Sequence, residues 1–479
     1  MRSAGYPLLL VTLIFTIALL TKCSPGAPSS LSLPRTQLGP KQAGPATPTA
    51  HPGEVEIVIW APAFRENRWR LDGPVQAAGK VSDFKIKGIP VNFDQLSDSD
   101  FWNEVSRAAE AGEGPDIAFA DTTRVLDWAS AGYLVPLDEC RARYSEFDDV
   151  MPGLWPMLAW RNQVWGVPFE IHIAPLFFSK SKLTALGWSE AQIAALPGWI
   201  EKGEFTLDDL VATAQAATQQ GVVQPGFGYW PSPQKGTDFM HVYTAYGGRQ
   251  YDLEQDKFVI VVDALAQAYA FQRHLAGAGV RLDNFLGPEK NTWASRLLYS
   301  DTVAHDRVLF WQGRLSNWPQ WAIDYVGQLG GQDYLFETVG YALRPSGLKG
   351  KPGNAGVSLG VYVITSERAS GRQNQAAACA LLAKTMAPEI NARHAAESAT
   401  LGVLSSPAGQ AAYGRYRLTA ETMPMRDFIW SGPWHGSTYK GIIMDFMIQA
   451  ENGDMAPSAS AAAAVEQLQR ELGEALLVE

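Results

Sequence analysis

The sequence is short of charge and of thiols. Charged residues make up 18% of its 479 positions, Lys and Arg number 39 against 49 Asp and Glu, and the formal net charge is −10. Phosphate contacts need clustered Lys and Arg, so this balance argues against nucleic acid as a partner and favours a neutral or cationic one. The three cysteines, Cys23, Cys140 and Cys379, form no cluster with histidine, and no zincin motif or EF-hand loop is present, so no metal and no cofactor is expected. Cys140 and Cys379 either pair or remain two separate buried thiols, since spacing alone cannot bring their α-carbons together. Beyond residue 20 no apolar run reaches membrane-spanning length, and there is no internal repeat.

What is present begins with Arg2 and the apolar run from Leu8 to Leu20, too short for a comfortable span and suited to a signal-peptide core, which points to export. Leu20-Thr21-Lys22-Cys23 then resembles the lipobox of bacterial lipoproteins, which implies lipidation of Cys23 and a membrane anchor. Lys22 departs from the small residue expected before the cysteine, and an uncleaved N-terminal anchor is the other reading. From Ser24 to Gly53 seven prolines stand among Ser, Thr, Gly and Ala, a composition that builds no core and reads as a semi-extended tether. The remaining length exceeds one ordinary core and suggests two or three domains.

The stretch that organises the chain is Val164 to Lys180, Val-Trp-Gly-Val-Pro-Phe-Glu-Ile-His-Ile-Ala-Pro-Leu-Phe-Phe-Ser-Lys. Its apolar residues alternate with Glu170 and His172, the period of a strand with one polar face. Pro168 and Pro175 bracket it, which disfavours a central strand throughout and suits a crossing between two bodies. On that reading Glu170 and His172 face the space between the bodies while Phe169, Ile171 and Ile173 pack behind. The alternative is an edge strand with two solvated polar residues. Upstream, strands are expected at Val55 to Trp60, Ile89 to Phe93 and Asp116 to Ala120. A helix capped at Ser97 to Asp100 is expected to bury Phe101, Val105, Ala108 and Ala109. Strand and helix alternate, so the sheet is expected to be parallel.

Gly114-Pro115-Asp116-Ile117-Ala118-Phe119-Ala120-Asp121 and Trp128 to Asp138 resemble a segment of the family 1 extracellular solute-binding proteins, the maltose-binding-protein-like receptors of ABC importers. Trp165-Gly166-Val167-Pro168 with Phe178-Ser179-Lys180 is similar to that family's hinge run, serine replacing its usual asparagine. Phe205 to Leu210, Phe310-Trp311-Gln312-Gly313-Arg314, Leu401 to Pro407 and the helix after Gly453 to Pro457 keep the family's order. The resemblance covers roughly residues 54 to 479. It implies an α/β, periplasmic-binding-protein-like type II fold, with a ligand cleft between two discontinuous lobes joined by three crossings, near Val167 to His172, Gly356 to Tyr362 and Leu404 to Pro407. The implied organisation is a signal peptide at 1–23, a tether at 24–53, one lobe at 54–167 plus 362–405 and a second at 172–356 plus 407–479.

The function so implied is the substrate-binding component of an ABC importer, monomeric and not an enzyme. It would capture a neutral carbohydrate, an oligosaccharide, and pass it to membrane permease subunits. Loop positions at strand ends and crossings select the ligand-binding candidates. Trp60, Asp121 and Glu170 stand on the first lobe, His172 and Tyr362 at crossings, and Trp230, Asp238, Trp318 and Trp321 on the second lobe, with Trp430, Trp434 and His435 as a further wall. Sugars present an apolar ring face and a hydroxyl rim, which tryptophan faces and planar carboxylates match. Two near-motifs point elsewhere. Gly73 to Val81 has five residues between its glycines and lacks the P-loop's Ser or Thr, so nucleotide hydrolysis is rejected. Gly356-Val357-Ser358-Leu359-Gly360 matches a nucleophile-elbow pattern but precedes an expected strand rather than a helix. A secreted hydrolase acting on carbohydrate or ester substrates is therefore the alternative, using Ser358 or a carboxylate pair.

Overall fold

In a computed structural model, residues 53–63, 67–230, 237–281, 305–315, 336–398, 400–406, 421–428 and 437–479 are described. β1 (Val55–Ala61) pairs in parallel with β2 (Ile86–Asn92) and with β3 (Ile117–Asp121). β2 begins ahead of the expected Ile89 because it is an edge strand, which needs no unbroken apolar run, and its Lys87 ammonium donates to Glu56 of β1 at 2.7 Å. The intervening helix Asp98–Ala111 is capped as expected. The Ser97 hydroxyl accepts the Asp100 N–H at 3.2 Å, and Phe101, Val105, Ala108 and Ala109 are buried.

The hairpin β4 (Ala159–Trp160) and β5 (Gln163–Val164) leads into β6 (Val167–Ile173). Only Ala174 and Pro175 separate β6 from β7 (Leu176–Ser179), yet the two strands lie in different sheets. With β8 (Tyr229–Trp230), β9 (Tyr251–Asp252), β10 (Lys257–Ile260), β11 (Phe310–Gln312), β12 (Val339–Ala342), β13 (Val357–Ile364) and β14 (Leu476–Val478), the strands form a five-stranded sheet in the order β2-β1-β3-β13-β6 and a four-stranded sheet in the order β12-β7-β11-β8. A smaller sheet runs β14-β10-β9. The chain thus leaves the first sheet at β6, builds the second, and returns from β12 to β13. β6 is the outermost strand of its sheet, which is where Pro168 is tolerated. On its outer side Ile171 and Leu401 exchange backbone hydrogen bonds of 2.9 Å. Leu404 bridges Val150, and Pro407 lies outside the described residues.

The sheet expected to be parallel is mixed. β13 enters it antiparallel to both β3 and β6, because a strand returning from the second sheet arrives from the opposite direction. Cys140 on the helix Asp138–Arg143 and Cys379 on the helix Gln375–Thr385 are joined as a disulfide with α-carbons 5.8 Å apart. Thr206 and Asp209 complete a capping box for the helix Leu207–Gln219. Among the described residues no helix is long and apolar enough to cross a membrane.

Candidate functional site

Asp121, Gly360 and Glu170 fall in one row across β3, β13 and β6. Gly360 is required there. A Cβ on it would lie 2.3 Å from Glu170 Cγ and 2.5 Å from Phe119 Cζ, so only the absence of a side chain lets the Glu170 carboxylate pass over β13. The ladder slips by one residue between Gly360 and Val361. The Phe169 ring is buried and stacks on His394, centroids 4.6 Å apart.

Glu170 is fully buried, not open to the space between the bodies, and its carboxylate collects three groups. Arg70 Nη2, from the helix Trp69–Ala78, donates to its Oε1 at 2.6 Å. His172 Nε2 meets the same oxygen at 2.7 Å, and His394 Nε2, from the helix Pro388–Ser398, meets Oε2. Tyr362 hydrogen-bonds the backbone carbonyl of Arg70 at 2.8 Å, and the Arg70 guanidinium lies 4.3 Å over the Phe119 ring. Arg70 also donates to the Pro62 carbonyl at 3.0 Å. The cluster ties the crossing strand to two helices of the first body and fixes His172, whose side chain is 11% exposed, by its Nε2.

Burial alone would raise the Glu170 pKa. The Arg70 charge, then the imidazoles of His172 and His394, outweigh it and hold the carboxyl well below its usual 4.5. Burial lowers His394 below 6.5 against the opposing pull of Glu170, so its imidazole is kept neutral. Both shifts act with one sign. Below pH 6.5 the unfolded chain takes a proton on His394 that the folded chain refuses, and below 4.5 it takes another on Glu170. Stability is therefore expected to fall as pH drops through 6.5, and again below 4.5. Urea midpoints at pH 7.5, 6, 5 and 4 check this, and His394→Gln should flatten the upper part of the curve. A flat profile between pH 7.5 and 5 would contradict it.

Trp60, near the carboxyl end of β1, is half-buried with its ring centroid 4.9 Å from that of Phe93. Asp121, at the end of β3, caps the helix Thr122–Ser130: its Oδ1 accepts the Thr123 N–H at 2.9 Å and the Thr123 hydroxyl at 2.5 Å. Trp60, Asp121 and His172 are all partly exposed and belong to this one sheet. Two candidates have other places. Tyr362 is fully buried against Phe119 and Phe169 because β13 is an interior strand. Trp230 is buried beside Phe227, with its indole N–H donating to the Gly226 carbonyl at 2.8 Å. Trp318, Trp321, Trp430, Trp434, His435 and Cys23 lie outside the described residues, as does the side chain of Asp238. Ser358 sits inside β13 opposite His172, with no turn to display it as a nucleophile, and Gly73 lies within a helix rather than a phosphate loop.

Arg70 and His394 are not among the ligand-binding candidates that the sequence selects. Arg70 stands in an arginine-rich approach to a helix and carries no spacing signal. His394 carries a weak one: Asn391, His394 and Ser398 put three polar side chains at helical spacing on a face that also holds Ile390 and Ala395, and all of them are buried.

Two α/β bodies whose strands pass directly from one sheet to the other, with polar side chains fixed at the passage, define a two-lobed, maltose-binding-protein-like binding fold. The chain belongs to the bacterial extracellular solute-binding proteins, whose family profile matches residues 72–383. A search of curated protein sequences found no match. Solved structures share the fold. The GacH receptor of Streptomyces glaucescens, studied unliganded and with acarbose, aligns at 18% identity and a TM-score of 0.65, covering 88% of this chain and 98% of that one. The cyclic α-maltosyl-1,6-maltose binding protein of Arthrobacter globiformis aligns at 18% identity and 0.64, covering 88% and 99%. The sugar-binding protein MalE of Xanthomonas citri aligns at 15% and 0.65, covering 88% and 98%.

Proposed function

We propose that this chain is the extracytoplasmic capture component of an ABC importer and that it binds a carbohydrate, an oligosaccharide, between lobes at 54–167 plus 362–405 and 172–356 plus 407–479. The observation that carries the reading is the passage of the chain between two sheets from β6 to β7 and from β12 to β13, with His172 held on β6 by Glu170. Family membership and the sugars named for the structural neighbours support it. A ligand that touches both lobes favours their closed arrangement by its differential affinity, and the closed form is what a permease reads. Trp60 offers a ring platform, Asp121 and His172 offer hydroxyl partners, and Glu170 positions His172. The chain would be anchored through Cys23 and act as a monomer without turnover.

Burying about 50 Å² of sugar ring on one indole contributes roughly 1 to 1.5 kcal/mol, whereas micromolar affinity needs about 8 kcal/mol. Several platforms and charge-assisted hydrogen bonds must therefore converge. Thermal unfolding of the purified protein against mono- and oligosaccharides, with product analysis of each mixture, tests the reading. A ligand at a hundred times its Kd should stabilise the folded state by about 2.7 kcal/mol and be recovered intact. No shift across the panel would sink the carbohydrate reading, and a cleaved sugar would replace it with the hydrolase.

A further inference from the structure

Among the described residues four non-glycine positions have positive φ, and three of them stand at one contact. Arg161 (51°) and Asn162 (57°) are the two central residues of the β4–β5 hairpin, and Asp256 (54°) lies in the turn between β9 and β10. The backbone N–H of Arg161 donates to Asp256 Oδ1 at 3.0 Å, and the Tyr251 hydroxyl donates to the same oxygen at 2.6 Å. A two-residue hairpin loop of this kind demands positive φ at both centres, which suits Asn and Gly but not Arg. The Arg161 guanidinium is turned back 4.3 Å over the Trp160 ring. The group that crosses to Asp256 is therefore the main chain, held there by a strained turn.

The two partners belong to different bodies. The hairpin is tied to the first: the Val164 N–H donates to the Asp138 carboxylate at 3.1 Å and the Val164 carbonyl accepts from Leu137 at 2.7 Å. Asp138 heads the helix that the disulfide fastens to Gln375–Thr385. The turn of Asp256 is tied to the second. β10 runs into the helix Val262–Gly277, and just past that helix the Val280 carbonyl accepts from Tyr229 of β8 at 2.8 Å.

Only Trp165 and Gly166 separate the hairpin from β6, so the contact lies near the start of the crossing strand. The far end of that strand is pinned to the second body, where the Ile173 carbonyl accepts the N–H of Leu315, just after β11, at 2.9 Å. The crossing is thus held at both ends. A lobe rotation of roughly 10° about the pinned end, acting over about 20 Å of strand, would move the hairpin by about 3.5 Å, past hydrogen-bond reach. The Arg161–Asp256 bond can therefore exist in only one arrangement of the lobes.

We propose that the hairpin tip is a strap between the lobes: Arg161 and Asp256 hold the arrangement in which they meet, and the lobes move relative to one another only when that bond breaks. This rests on the lobe-closing reading above and not on which sugar is bound. One exposed charged contact suits the task, being weak enough for a ligand to break and strong enough to bias a two-state equilibrium.

The test reads the distance between the bodies by double electron–electron resonance on the full chain. Spin labels are placed at Arg107→Cys and Arg470→Cys, helix positions whose side chains are 67% and 66% exposed. Cys23→Ser leaves these as the only free thiols. Asp256→Gly removes the acceptor while permitting the same φ, whereas Asp256→Asn keeps an acceptor oxygen and tolerates positive φ. Asp256→Gly should lower the population of the parent's main distance, relative to the others, by about three-fold or more. Asp256→Asn should restore it, and Arg161→Gly, which keeps the N–H and relieves the turn, should preserve it. All three variants should unfold near the parent's temperature. An Asp256→Gly profile like the parent's, or an Asp256→Asn profile like that of Asp256→Gly, would overturn the strap. If glucose, maltose or maltotriose nonetheless moves the parent's distance, lobe closing stands and the strap alone falls. If a sugar that stabilises the protein moves nothing, lobe closing falls with it.

Discussion

Replacing Arg70 by Met should cost about 3 to 5 kcal/mol of stability at neutral pH, the usual penalty for leaving a buried charge without its partner. The Arg70 side chain is 8% exposed and that of Glu170 0%, so water cannot take over. The remaining partners of the carboxylate are two imidazoles, and His394 is kept neutral by burial. In the variant Glu170 can enter the fold only by taking up a proton, and its folded pKa should rise above the unfolded value. The deficit against the parent should then shrink as pH is lowered from 7 towards 4.5, because protonation removes the stranded charge. Adding Glu170→Gln should recover much of the loss, since a neutral amide still accepts from His172. Urea denaturation of the parent, both single variants and the double variant gives the coupling directly. A loss below about 1 kcal/mol, the scale of an exposed ion pair, would mean that the cluster is solvated.

Reducing the Cys140–Cys379 bond should cost about 2 to 5 kcal/mol. The bridge joins positions 239 residues apart, and a cross-link across so long a loop removes much of the freedom of the unfolded chain, on the entropic account. It also fastens the short helix Asp138–Arg143, which has no buried residue of its own, to the helix Gln375–Thr385, most of which is buried. The double variant Cys140→Ala, Cys379→Ala should show a lowered midpoint in both the presence and the absence of reductant, whereas the parent should lose stability only when reduced. A parent indifferent to reductant would show the thiols unpaired in solution.

The sequence was legible where one local rule decided the structure. Ser97 and Thr206 are caps, and a hydroxyl ahead of an apolar helical face admits little else. Two prolines around Glu170 and His172 spoke for an edge and a crossing, and β6 is both. Legibility failed where the outcome depended on which distant element arrives. Glu170 reads as a cleft carboxylate until Arg70 and His394, from helices far apart in the chain, close over it. Tyr362 reads as a crossing residue until β13 is seen between β3 and β6, and nothing local to Val361-Tyr362-Val363 marks an interior strand. The pairing of Cys140 with Cys379 was likewise undecidable from spacing, because 239 residues of chain place no limit on where the second thiol lies.

The position of β13 has a consequence in time. It lies between β3 and β6, and it is made only after the whole of the second sheet. When the ribosome has finished β6, the two strands that will flank β13 face a gap, and Gly360, the residue that lets Glu170 settle over that row, does not yet exist. The first body therefore cannot close while the chain is being synthesised in order. Closing that sheet requires a contact of high sequence separation, a kind of contact that slows folding. For a member of an extracellular family this delay is useful: a chain that cannot complete its first sheet early stays threadable until most of it has been made.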